Sequence, residues 1–222
     1  RYSVWNRQET LPLTHFESSV PSLPLVRSLN NQLYGDCKHQ ELKNNLWSRA
    51  SGFPAVVDFI PYYATRNGYH YWNKVVSPIL KDATLKGTLI RESAKVYRKT
   101  YSRRREMTIG AGEFVPEFFR NPFYKDVTDE YLHTEDITVP VLKALPESRR
   151  NVYLAVFSNR KWEAVALGDR TSEEGEFRKM GKNIVYLPVS YPEREAVPFN
   201  YPFVLDMSGR IKFLVPDTAS LM

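Results

Sequence analysis

Hydrophobic and polar positions change rhythm along this chain, from a period near four to a period of two. Between Cys37 and Ala50, Leu42, Leu46 and Ala50 recur four apart, with Lys38, Lys43, Asn44 and Arg49 on the other faces. That spacing stacks apolar side chains on one side of a helix. Asp36 is placed to cap its first free N–H groups, and Gly52 and Pro54 stop it. The pattern predicts a helix starting at Cys37. A shorter helix is predicted over 25–34, after a start broken by Pro12, Pro21 and Pro24.

The rhythm then shortens. Ala55–Ile60 is an apolar run closed by Pro61 and predicts a buried strand. Asn67-Gly68 signals a tight turn, and 69–76, rich in aromatic and β-branched residues, predicts a second strand. Alternation puts His70, Trp72 and Lys74 on one of its faces and Tyr71, Asn73 and Val75 on the other. Residues 79–82 are read as a third strand, 88–101 as extended and then irregular, and 116–122 as a connector. Beyond residue 124 strands are expected at 137–141, 151–157, 162–167, 184–187, 203–205 and 211–215. Turns are expected at Ser158-Asn159-Arg160, Gly168-Asp169, Met180-Gly181-Lys182-Asn183 and Ser208-Gly209. Short strands at this spacing predict an antiparallel β-sandwich. The organisation expected is an α+β domain over 1–123 and a β-sandwich domain over 124–222.

Composition narrows the classes. The chain has 222 residues, 42% hydrophobic and 14% aromatic, enough to build a core and too much for disorder. No apolar run approaches the roughly 18 residues of a membrane span. The chain begins at Arg1 without a signal peptide and is read as a processed or trimmed piece. A net charge of +6 is modest and does not by itself imply nucleic acid. The local basic run Lys95, Arg98, Lys99 and Arg103-Arg104-Arg105 is read as a solvated face. The single cysteine excludes an internal disulfide and a cysteine-rich zinc site. His15, His39, His70 and His133 lack metal-ligand spacing, so neither metal nor cofactor is expected.

The chemistry gathers at Cys37. A thiolate is favoured at a helix N-terminus by free N–H groups and the dipole. His70, on a strand beside a tight turn, supplies an imidazole, and a helix-borne cysteine with a strand-borne histidine is what thiol catalysis requires. Asp82, twelve residues after His70 on a return strand, is the candidate to orient the ring, with Glu92 second. The oxyanion would be held by the Cys37 N–H and an upstream amide, Asn31 or Gln32. Trp72 is a pocket candidate whose commoner role is core, and His39 is expected to face solvent. A lone cysteine is otherwise a small buried hydrophobe.

These segments resemble a known family. Gly35-Asp36-Cys37, GFPAVVDF at 52–59 and GYHYWN at 68–73 look like the transglutaminase-like superfamily, and Asp82-Ala83-Thr84 matches its D-x-T segment. The resemblance implies a papain-like core with Cys37 as nucleophile, His70 as base and Asp82 as orienting acid. Segments at 126–131, 153–157 and 180–188 are similar to the C-terminal part of secreted bacterial transglutaminase-like proteins, where a β-sandwich follows the thiol domain. The resemblance covers most of 27–217. It implies an extracytoplasmic protein (secreted, periplasmic or cell-surface), with any membrane association through a lipid anchor outside this chain. Two functions follow. One is a cysteine protease, amidase or acyltransferase that acts on a peptide or protein substrate, glycan-associated in one variant, through a thioester. The other is an inert binding or scaffold protein for a glycan, peptide or partner, with Tyr191 and Tyr201 as loop aromatics. Neither involves nucleic acid.

Overall fold

A computed structural model describes residues 37–76, 90, 93–103, 109–110, 113–146 and 149–217. The elements expected at 25–34 and 79–82 lie outside them. Of the described residues 41% are strand and 14% helix, in two antiparallel sheets, one of them a half-barrel. The expected papain-like α+β core is therefore corrected: the chain is mostly β. Among the described residues only one helix exceeds four residues, so no helical layer is available to cover a sheet.

By its contacts the chain divides into two units, 1–57 with 71–84, and 58–70 with 85–222. In the first, α1 (Cys37–Ala50) begins and ends where the sequence pattern puts it. Gly52 closes it with φ of 85°, its N–H donating to Arg49 O at 3.0 Å. That is the left-handed stop that glycine adopts without a Cβ penalty. Two strands follow, β1 (Ala55–Ile60) and β2 (His70–Val75), and the Val76 N–H donates to Pro54 O at 2.8 Å. The buried residue of α1 is Asn45, 1% exposed, while Ala50 is exposed and Leu42 and Leu46 are half-buried. The one fully buried position of α1 is thus polar, and beside it Asn73 of β2 donates to Glu41 O at 3.0 Å.

In the second unit the end of β1 pairs β3 (Tyr97–Lys99), and β3 pairs β4 (Tyr124–Asp126). A four-residue helix, α2 (Glu117–Arg120), occupies part of the expected connector. The remaining strands are β5 (Glu135–Pro140), β6 (Asn151–Ser158), β7 (Lys161–Arg170), β8 (Glu174–Met180) and β9 (Ile184–Ser190). Three short ones follow, β10 (Val197–Pro198), β11 (Phe203–Leu205) and β12 (Ile211–Phe213). They form one sheet of order β12-β11-β9-β6-β7-β8-β5, with β10 on β9. The expected two-layer sandwich is thus corrected to a single eight-stranded sheet. Its central strand β6 is covered on both sides. Val152, Leu154 and Val156 enter the larger apolar cluster, and Tyr153 and Ala155 a second one.

β8 escapes the sequence pattern because its outward positions carry Glu174, Glu176 and Arg178, while Gly175, Phe177 and Met180 are buried. Gly168-Asp169, expected as a turn, runs inside β7. A Cβ on Gly168 would stand 2.5 Å from the Phe177 ring, which takes the room a side chain would need. Gly181 is tighter still. A Cβ there would meet Ser93 O at 2.1 Å, and its N–H donates to Ala94 O at 3.1 Å. Gly181→Ala is expected to cost about 2–3 kcal/mol, because backbone rather than a flexible side chain must move. The urea midpoint measures it.

Burial also sets a pH limit. Burial first, then the charge of Asp126 at Tyr97 and of Glu113 at Tyr153, raises the phenol pKa values of both residues. At Tyr186 burial outweighs the hydrogen bond to Gly181 O. Unfolded phenols titrate near ~10. Above that pH the folded state retains protons the unfolded state has lost, so stability is full below pH ~10 and falls as pH rises through the folded values. The melting temperature should drop between pH 9 and 11, and less steeply in Tyr186→Phe.

Candidate functional site

Cys37 is the first residue of α1 and is half-buried. Glu41 and Asn45 follow at four-residue steps on the same face, Glu41 half-buried and Asn45 buried. The Asn73 amide donates to Glu41 O at 3.0 Å and also to the Glu41 carboxylate. Burial raises the Glu41 pKa, against hydrogen bonds from Asn44 and Asn73 that lower it. A carboxyl held this way exchanges a proton nearer neutral pH than an ordinary glutamate. Sequence reasoning missed Glu41 and Asn73. The signal was the i, i+4 spacing of Glu41 from the cysteine.

His70 is the first residue of β2 and the last of the 58–70 segment that clusters with the large sheet. It is half-buried. Burial first, and then the Arg66 charge, lowers its pKa, so the ring is neutral at neutral pH. Arg66 itself lies over the Tyr63 ring, 3.9 Å from its centroid. Trp72 is buried in the middle of β2, among the core residues. Asn31, Gln32, Asp82 and Glu92 lie outside the described residues, as does Asp36. Cys37 belongs to one contact unit and His70 to the other.

The basic run is only partly a solvated face: Arg103 is exposed and Lys99 half-buried, Arg104 and Arg105 lie outside the described residues, and its first two members turn inward. Lys95 and Arg98 are buried, Arg98 against Asp58 and Glu130 and Lys95 against Asp126. Their carboxylate partners lie 31–40 residues away in sequence, beyond the reach of any local charge pattern. Lys95 lies in a cleft of about 260 Å3 that Tyr97, Phe118, Tyr124, Asp169 and Glu176 also line. Its ammonium donates to Asp126 Oδ2 at 2.5 Å, Arg178 O at 2.5 Å and Lys179 O at 3.2 Å. All three N–H bonds are used, so this lysine is a structural tie and not an amine nucleophile, although burial lowers its pKa. Tyr97 likewise spends its hydroxyl on Val165 O at 2.7 Å. Of the aromatics proposed for binding, Tyr191 is half-buried against Tyr153 and Phe114, and Tyr201 is exposed. Among the described residues no group of three or more His, Cys, Asp or Glu could hold a metal ion, and no helix is long and apolar enough to cross a membrane.

No family model matches this chain, and no curated protein or solved structure does either.

Proposed function

We propose that this protein is a thiol acyl-transfer enzyme in which Cys37 attacks the carbonyl of a peptide or carboxamide bond. The observation that carries the reading is the place of the cysteine, half-buried at residue one of a 14-residue helix. A helix N-terminus, through its dipole, favours a thiolate and a developing oxyanion. The likeness of its flanking segments to the transglutaminase-like superfamily supports the same role.

His70 takes the thiol proton as sulfur adds to the carbonyl carbon. A neutral imidazole is what that step needs, and burial with Arg66 favours it. The tetrahedral oxyanion collapses, the C–N bond breaks, and the leaving amine takes the proton from His70. The thioester is then resolved by water, giving an acid, or by an amine, giving a new amide, and the thiol is restored. In this reading Asp82 orients the imidazole, and Asn31 or Gln32 assists the Cys37 N–H at the oxyanion. The substrate is a peptide or protein met outside the cytoplasm.

A p-nitrophenyl ester tests the first half-reaction. The expected result is a burst of about one equivalent of nitrophenol, with the acyl group on Cys37 by mass spectrometry and an added amine accelerating its release. A burst that survives Cys37→Ala, or none at all, would sink the proposal.

A further inference from the structure

The geometry points to Asn159, on the turn between β6 and β7, as the positioning residue for His70. This rests on the proposed role of His70 as the base. The loop 61–69 joins β1 to β2 and ends at that histidine. Its Tyr62 and Ala64 pack against the core of the large sheet, and its Tyr63 N–H donates to Gly68 O at 3.0 Å, closing the loop on itself. At its tip it meets the β6–β7 turn. Ser158 Oγ donates to Arg66 O at 3.2 Å. The Asn159 N–H donates to Asn67 Oδ1 at 2.8 Å, and the Gly68 N–H donates to Asn159 Oδ1 at 3.1 Å. Each asparagine thus accepts, through its side-chain carbonyl, an N–H from the other's turn.

Both turns are shaped for this meeting. Asn159 and Arg160 have φ of 52° and 65°, the left-handed pair of a tight two-residue hairpin, and Gly68 has φ of 98°. The clamp holds Asn67 and Gly68, and His70 follows two residues later. His70 is the last residue of the 58–70 segment, which belongs to the same contact unit as the β6–β7 turn. The clamp and His70 therefore share one contact unit. The two clamp bonds, Asn159 N–H to Asn67 Oδ1 and Gly68 N–H to Asn159 Oδ1, are solvent-exposed, so they act through position and contribute little to stability.

The test compares two substitutions. Asn159→Gly keeps the left-handed φ and the N–H to Asn67 and deletes only the acceptor for Gly68; Asn159→Asp restores that acceptor. The first readout is the His70 imidazole 1H–13C cross-peak at pH 7, assigned by its loss in His70→Gln. The second is the rate at which iodoacetamide alkylates Cys37. The expected result is a shifted and broadened His70 peak in Asn159→Gly, alkylation slowed on the order of tenfold, a melting temperature within a few degrees of wild type, and recovery of both readouts in Asn159→Asp. A peak left unmoved in Asn159→Gly overturns the positioning role, and so does a peak moved equally by Asn159→Asp. A peak that moves while alkylation is unchanged, in this variant and in His70→Gln, supports the positioning and removes the thiol reading instead. If Asn159→Gly does not fold, Asn67→Ala against Asn67→Asp reads the same clamp from its other side, with the same two outcomes deciding.

Discussion

Replacing Arg98 with alanine is expected to destabilise the protein by about 3–5 kcal/mol, enough to unfold a marginal domain. Arg98 lies directly across β1–β3 from Asp58, and its Nε and Nη2 each donate at 2.8 Å to a different oxygen of that carboxylate. Glu130 accepts from the other edge of the guanidinium at 3.0 and 2.7 Å. Asp58 is 0% exposed and takes a further bond from the Tyr131 hydroxyl at 2.5 Å. Burial alone would lower the pKa of Arg98, but its hydrogen bonds to Asp58 and Glu130 and their charges reverse that and raise it. Without the arginine, Asp58 is a buried charge with one hydroxyl donor left from this network. Arg98→Lys keeps the charge but loses the planar fork, and should fall between wild type and alanine. Paired Arg98→Met with Asp58→Leu should cost much less than the two single changes added together, because the one carboxylate of the network that remains, Glu130, is exposed to solvent. Urea denaturation of the four proteins measures the coupling.

The second large effect belongs to the thiol. Cys37→Ala is expected to lower acyl transfer by at least ~10³-fold, since nothing else at the helix start can form a thioester. His70→Gln should lower it by roughly 10²–10⁴-fold, the range for losing a general base. Trp72→Phe supplies the contrast. That side chain is core, so its replacement should shift the melting temperature and leave the transfer rate of folded protein near wild type. Initial rates with the p-nitrophenyl ester, taken with thermal melts, separate the two kinds of loss.

Local signals were legible where a single principle decides the outcome. The bounds of α1 follow from its spacing and from Gly52, and those of β1 from an apolar run closed by Pro61. The strand β11 matches its expected range, 203–205. What the pattern could not carry was anything decided by a distant partner. Lys95 and Arg98 read as surface charges because their carboxylates sit far off in sequence, at Asp58, Asp126 and Glu130. No strand was legible at β8 because one of its faces is charged and one of its inward positions is Gly175, which carries no side chain to mark a buried face. A sandwich and a single curled sheet share the same alternation, so strand count alone could not choose between them. The buried position of α1 was missed because it is polar, and a hydrophobic periodicity looks past Glu41 and Asn45. Of the candidate site, the helix start at Cys37 and the strand start at His70 were readable from capping, turn and alternation. The contribution of Asn159 was not, since 88 intervening residues separate it from His70 in sequence.

The most direct measurement is the rate of Cys37 alkylation by iodoacetamide from pH 5 to 10, in wild type and in His70→Gln. The account predicts that wild type reacts well below pH ~8.5, where an ordinary thiol begins to ionise, and that His70→Gln moves the curve toward that of an ordinary thiol. Two superimposable curves that both follow a small-molecule thiol would contradict it.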